Sequence, residues 1–165
     1  MSTQRYWWRI ALELKLRKSS GDAFQNFFSD LMGKRHGDDY VRTRPFGKLG
    51  DKGCDGYLQS TGDVFQCYGA INADTGKVDY LIGKMEEDFL KAKTALSGIM
   101  KQWHMVHNLV DGLPTEAILK MEEMRQANAN IKFGFIGADG FVERLASAIG
   151  HCVDEFGREI RKINA

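Results

Sequence analysis

From Gly47 to Tyr57 the chain reads Gly-Lys-Leu-Gly-Asp-Lys-Gly-Cys-Asp-Gly-Tyr, with a glycine at every third position up to Gly56. That spacing can neither pack a helix nor fill a strand, so the stretch is expected to be a loop whose backbone comes close to something. It carries Asp51 and Asp55. Tyr57-Leu58-Gln59 and Val64 to Tyr68 then read as two short strands, because Ser60-Thr61-Gly62-Asp63 between them is turn chemistry flanked by β-branched and aromatic residues. If Ser60 and Asp63 close the hairpin, Asp55 stands opposite Tyr68 with Gln66 diagonal to it. All three then share one face, and Cys54 and Cys67 point to the other.

The rest of the chain supplies a core around this loop. Ile10, Leu12, Leu14 and Leu16 alternate with Arg9, Glu13, Lys15 and Arg17, a period of two that predicts a half-buried strand. Phe24, Phe27, Phe28 and Leu31 fall on one helical face after a cap at Ser20 or Asp22, and Gly33 or Gly37 ends that helix. Asp39 to Phe46 reads as a strand near an edge, since Pro45 cannot donate to a ladder. A long helix is expected from about Lys77 to Leu96, with Val78, Leu81, Ile82, Met85, Phe89, Ala92 and Leu96 on its buried stripe. Gln102 to Leu109 reads as a strand, Thr115 to Ala127 as a helix and Ile131 to Ile136 as a strand. Further helices are expected after Asp139 or Gly140 and from Glu155 to Ile163. Strands separated by helices imply parallel neighbours, whereas the early hairpin is antiparallel. The expectation is a single α/β domain over residues 1–165, a mixed central sheet flanked by helices.

A chain of 165 residues with 43% hydrophobic and 27% charged residues suits an ordinary globular domain, and a formal charge of +1 excludes a strongly basic coat. No apolar run reaches the roughly 18 residues of a membrane span, the N-terminus lacks the pattern of a signal peptide, and three cysteines show no pairing pattern. A cytoplasmic protein with reduced thiols is the expectation.

The run Gly50-Asp51-Lys52-Gly53-Cys54-Asp55-Gly56, then Phe65-Gln66-Cys67-Tyr68, preceded by an amphipathic helix holding Phe24-Gln25, resembles the PD-(D/E)xK nuclease superfamily, nearest its Mrr-type restriction endonuclease branch. The likeness covers about residues 20 to 110. The wording around Phe65 to Gly69 also resembles nuclease-like subunits of bacterial defence loci, including the ABC-three-component systems. The resemblance implies an α-β-β-β-α-β core with additional β/α units at the C-terminus, and hydrolysis of DNA phosphodiesters with Mg²⁺ or Mn²⁺. It also implies action within an anti-phage assembly, alongside other defence proteins or further copies of the chain. Carried over, Asp55 and Gln66 become metal ligands, joined by the backbone carbonyl of Cys67, with Asp51 outside them. Hard oxygen donors suit Mg²⁺. Where the family has its lysine this chain has Tyr68, and its acidic residue on the first helix falls at Gln25. Lys52, Lys48 or Lys34 are candidates to supply the missing cation, and Tyr68 to orient water by its hydroxyl. The alternative is a fold that has kept its shape and serves in assembly or nucleic-acid binding without catalysis.

Arg42, Arg44, Lys48 and Lys52 approach the same loop in sequence, and such groups would contact phosphates. His104 and His107 on a strand point to opposite faces and form no metal pair. Cys54, Cys67 and Cys152 need no role beyond packing, and Trp7, Trp8 and Trp103 read as core or interface bulk. There is no phosphate-binding Gly-Lys-Ser/Thr loop, no dinucleotide fingerprint and no Gly-x-Ser-x-Gly elbow.

Overall fold

Apolar residues on both faces of a five-stranded sheet require helices on both sides, and the chain provides them. The computed structural model describes residues 3–44 and 52–147. Two helices come first, α1 (Thr3–Lys18) and α2 (Gly21–His36), followed by strands β1 (Tyr40–Arg42), β2 (Gly56–Leu58) and β3 (Asp63–Tyr68). Then come α3 (Val78–Ala95), β4 (Gln102–His107), α4 (Thr115–Ala127), β5 (Lys132–Ile136) and a helix over 138–147, here α5. The strands lie in the order β1-β2-β3-β4-β5. The first three are antiparallel and the last three parallel, so the expected mixed α/β sheet flanked by helices is present.

The strand expected from Arg9 to Arg17 is instead the second half of α1. Leu12 and Leu16 are one helical turn apart and both buried, whereas Ile10 and Leu14 are exposed. An even-numbered alternation therefore concealed a pair at i, i+4 that anchors a helix. Leu12 and Leu16 join Phe24, Phe28, Leu31, Phe65, Val106 and Phe141 on one face of the sheet. Val64, Leu81, Met85, Phe89, Trp103, Met105 and Met121 fill the other, beneath α3 and α4.

The hairpin is also reset. Leu58 pairs with Asp63, Tyr57 with Val64 and Gly56 with Phe65, so four residues rather than two make the turn. Gly62, at φ +72°, lies against Ile99 and Lys101 and holds the longer turn. A slip of two residues keeps each side chain of β3 on its expected face. At the far end the Asp55 N–H donates to the Phe65 carbonyl at 2.8 Å although Phe65 already pairs with Gly56. Two residues thus oppose one, a β-bulge that re-aims Asp55. Cys54 and Cys67 do not share a face, since Cys54 packs beneath α3 and Cys67 against the α2 side.

Where β3 ends, one buried side chain ties three segments together. Asn108 is fully buried; its Oδ1 accepts from the Ala70 N–H at 2.8 Å, and its Nδ2 donates to the carbonyls of Ala70, Ser19 and Leu16 at 2.7, 2.8 and 3.2 Å. Beside it, Gly21 N–H donates to the Gly69 carbonyl at 2.9 Å. This fixes the end of β3 against the α1–α2 junction. Among the described residues no helix is long and apolar enough to cross a membrane.

Replacing Asn108 by Leu strands several buried backbone groups, and the expected cost is about 2–4 kcal/mol, read as a lower urea midpoint at unchanged slope. A midpoint within error of wild type would contradict the role given to this amide. His107 offers a second test. It is buried against Phe135, its Nδ1 accepts from the Leu109 N–H, and burial holds its pKa down to about 4. Unfolded, the imidazole takes its proton near pH 6.5, so the unfolded chain binds more protons and stability falls as pH drops from about 6.5 through 4, by up to roughly 3 kcal/mol. In His107→Gln that part of the pH dependence of the urea midpoint disappears.

Candidate functional site

The glycine loop comes to rest on α3. Gly53, at φ +72°, lies so close to the Asp88 backbone that an added Cβ would strike its carbonyl oxygen. Only glycine permits both the left-handed conformation and that approach. Lys52 precedes it, also left-handed at φ 56°, with its side chain exposed. Asp51 and Lys48 lie outside the described residues.

Asp55 follows and is only 2% exposed. Its Oδ2 accepts from the Cys67 backbone N–H at 2.7 Å, so the carboxylate takes the place that a backbone carbonyl would hold if the bulge were absent. Thr43 reinforces the same corner: its N–H donates to the Asp55 carbonyl at 3.3 Å and its hydroxyl to the Cys54 carbonyl. Gln66, the residue before Cys67, faces α3. It is 7% exposed, and its Oε1 has no hydrogen-bond partner among the described residues.

Gln66 and Tyr68 line a small cleft against α3 together with Lys84, Asp88, Met85 and Trp103. Its volume of about 10 Å³ is room for one water-sized particle. Trp103 Nε1 is buried there without a partner among the described residues, so the cleft presents an unused donor and an unused acceptor. A bound water or ligand hydroxyl would accept from the indole and donate to the amide. Lys84 Nζ bonds Asp88 Oδ1 at 3.1 Å. Burial pulls the Lys84 ammonium down, but the bond to Asp88 and the charges of Asp88 and Glu87 outweigh it and hold its pKa above the ordinary value. It stays charged.

Sequence reasoning looked for the cation in Lys34, Lys48 or Lys52. Lys34 is exposed on α2, the helix on the opposite face. The ammonium that reaches the cleft belongs to Lys84, which that reasoning missed. One signal was legible: Asp88 falls three residues after Met85 on a stripe that also holds Leu81, Phe89 and Ala92, and a lysine stands four residues before it. Arg42 is turned toward α2, where it bonds Asn26 and lies 4.0 Å from Asp30. Arg44 is exposed after β1. Asp55 is not among the residues that line the cleft: the structure sets it just before β2, bonded to the backbone of β3, but gives the cleft to Gln66, Tyr68, Lys84 and Asp88.

Burial, followed by the charge of Asp55, raises the Cys67 thiol well above its ordinary range, so it is no nucleophile at neutral pH. On the α2 side His104 stacks on Phe65 and bonds Asp63, which also accepts from Thr61. His104 and His107 therefore face opposite sides of β4, as the alternation of a strand requires. Among the described residues no three His, Cys, Asp or Glu side chains gather as a metal-binding group. The chain matches no family model, no curated protein and no solved structure.

Tyr68 is half-buried, and burial, then the neighbouring Tyr80, raises its phenol above the usual value near 10. The difference between wild type and Tyr68→Phe in an ultraviolet phenolate titration is expected to show a midpoint above pH 10. A midpoint at or below 10 would place the hydroxyl in water rather than against the cleft.

Proposed function

We propose that this chain is a restriction-endonuclease-like domain that hydrolyses nucleic-acid phosphodiesters, with DNA as substrate and Mg²⁺ as the metal. The order α2-β1-β2-β3-α3-β4 supports the reading, since it is the order that the resemblance implies. The observation that carries it is the meeting of an orphaned buried amide oxygen and a charged ammonium beside Tyr68, at the place where the resemblance puts the reacting phosphate. Defence against foreign DNA is the setting that the same resemblance suggests.

The donor set fits such an ion only in part: Gln66 Oε1, without a partner among the described residues, lines the cleft, whereas Asp55 is bonded to the backbone next to Gln66 and lies outside it. Mg²⁺ keeps several of its waters and needs only one or two carboxylates from a protein. When bound, it would activate water and offset charge on the phosphoryl oxygens. The chain's own groups do the rest. Asp55 braces the hairpin by holding the Cys67 N–H. Gln66 Oε1 has a second lone pair for a water that also accepts from Trp103 Nε1. Lys84 supplies the positive charge that Tyr68, neutral at physiological pH, cannot, and Asp88 positions Lys84.

A second reading is favoured by the Lys84–Asp88 pair itself, which half-neutralises the ammonium in the cleft: a module that binds nucleic acid without cutting it. The two separate on plasmid incubated with Mg²⁺ or Mn²⁺. Under the hydrolytic reading Asp55→Asn, which keeps an acceptor for Cys67, and Lys84→Met each slow nicking by about 10²-fold or more, while Tyr68→Phe stays within a few-fold. Nicking that survives Asp55→Asn rules this site out. Absence of nicking beside intact binding leaves the second reading.

A further inference from the structure

The cleft opens into a larger groove that the hydrolytic reading does not use. It begins at Tyr68 and Lys84, runs along the segment after β3 and ends at the start of α3, with a volume of about 760 Å³. Its outer wall carries Ile71, 74% exposed, and Tyr80, 62% exposed. Two ammonium groups line it, Lys77 and Lys84, against one carboxylate among the described residues, Asp74, whose Oδ1 accepts from the Gly76 N–H at 3.2 Å. Lys77 stands at the head of α3 without a side-chain cap, so the first N–H groups of an 18-residue helix face the same space. The groove also lies off the carboxyl end of β3 beside its parallel neighbour β4, the end of a parallel sheet where ligands bind.

We infer that this groove holds a single nucleic-acid strand, with phosphates toward Lys77 and Lys84 and an unpaired base stacked on Tyr80. The occupant follows from the mixture of surfaces. An apolar ligand would waste two ammonium groups, and a compact anion would waste an exposed phenol and an exposed isoleucine. An unstacked base with its phosphate uses both, whereas in a duplex the base faces are already covered. The backbone supports a fixed shape here: Asn72 and Ala73 are held at φ 55° and 56°, a left-handed pair that non-glycine residues rarely adopt, and Ala73 is buried. The inference rests on the nucleic-acid reading of the adjoining cleft, and not on hydrolysis there.

The test is fluorescence anisotropy of the whole chain in EDTA, with a labelled thymidine oligonucleotide, its duplex with adenosine, and the uridine ribonucleotide equivalent. Expected is tighter binding of the single strands than of the duplex, weakened roughly tenfold by Tyr80→Ala and retained by Tyr80→Trp, which keeps a stacking surface. Lys77→Gln should lower the salt dependence of binding. Equal affinity for duplex and single strand overturns the inference, as does a Tyr80→Ala variant that binds like wild type, or no binding at all. Because no metal is present, loss of hydrolysis alone leaves the result standing, and plasmid nicking without strand binding sinks the groove while sparing the cleft.

Discussion

A single side-chain amide decides where the sheet stops and the open surface begins. Asn108, at the end of β4, satisfies both backbone groups of Ala70 and two carbonyls at the α1–α2 junction. An amide in a dry interior is costly unless fully bonded, and this one is bonded on both ends. Its geometry requires β3 to leave the sheet at Tyr68. The cleft under α3 and the groove beyond it both begin at that departure.

Much of this architecture was legible from residue order. The stripe from Val78 to Leu96 gave α3, the apolar run at 131–136 gave β5, and the turn residues before Val64 gave an antiparallel hairpin. The alternation in residues 10–16 misled because helix and strand share even spacings, and only burial told Leu12 and Leu16 apart from Ile10 and Leu14. The hairpin register was off by two because turn composition does not say whether two or four residues make the bend. Asp55 and Gln66 could be singled out, but not the bulge that re-aims the first or the helix that covers the second. Lys84 lay hidden because a long-range contact between a strand and a helix has no spacing in the sequence.

The charged groups near the hairpin are anchored within the chain. In the cleft Lys84 is held by Asp88; outside it Asp55 is held by a backbone N–H and, on the α2 side, Arg42 by Asn26 and Asp30. Each is anchored before any ligand arrives, which lowers the entropy lost on binding but also weakens the field that the ligand feels. A phosphate that reached Lys84 from the groove would compete with Asp88 for that ammonium. That competition, more than the number of basic residues, sets how tightly an anion is held.

The sheet order has a consequence for how the molecule is made. Every strand lies beside its predecessor in sequence, from β1 through β5. A growing chain therefore extends the sheet at one rim, and no later strand must be threaded between two already joined. The hairpin can form from nearby residues alone, and α3 and α4 each close one short crossover before the next strand docks. Assembly from the N-terminal side onward is the route with the smallest loop-closure entropy at each step.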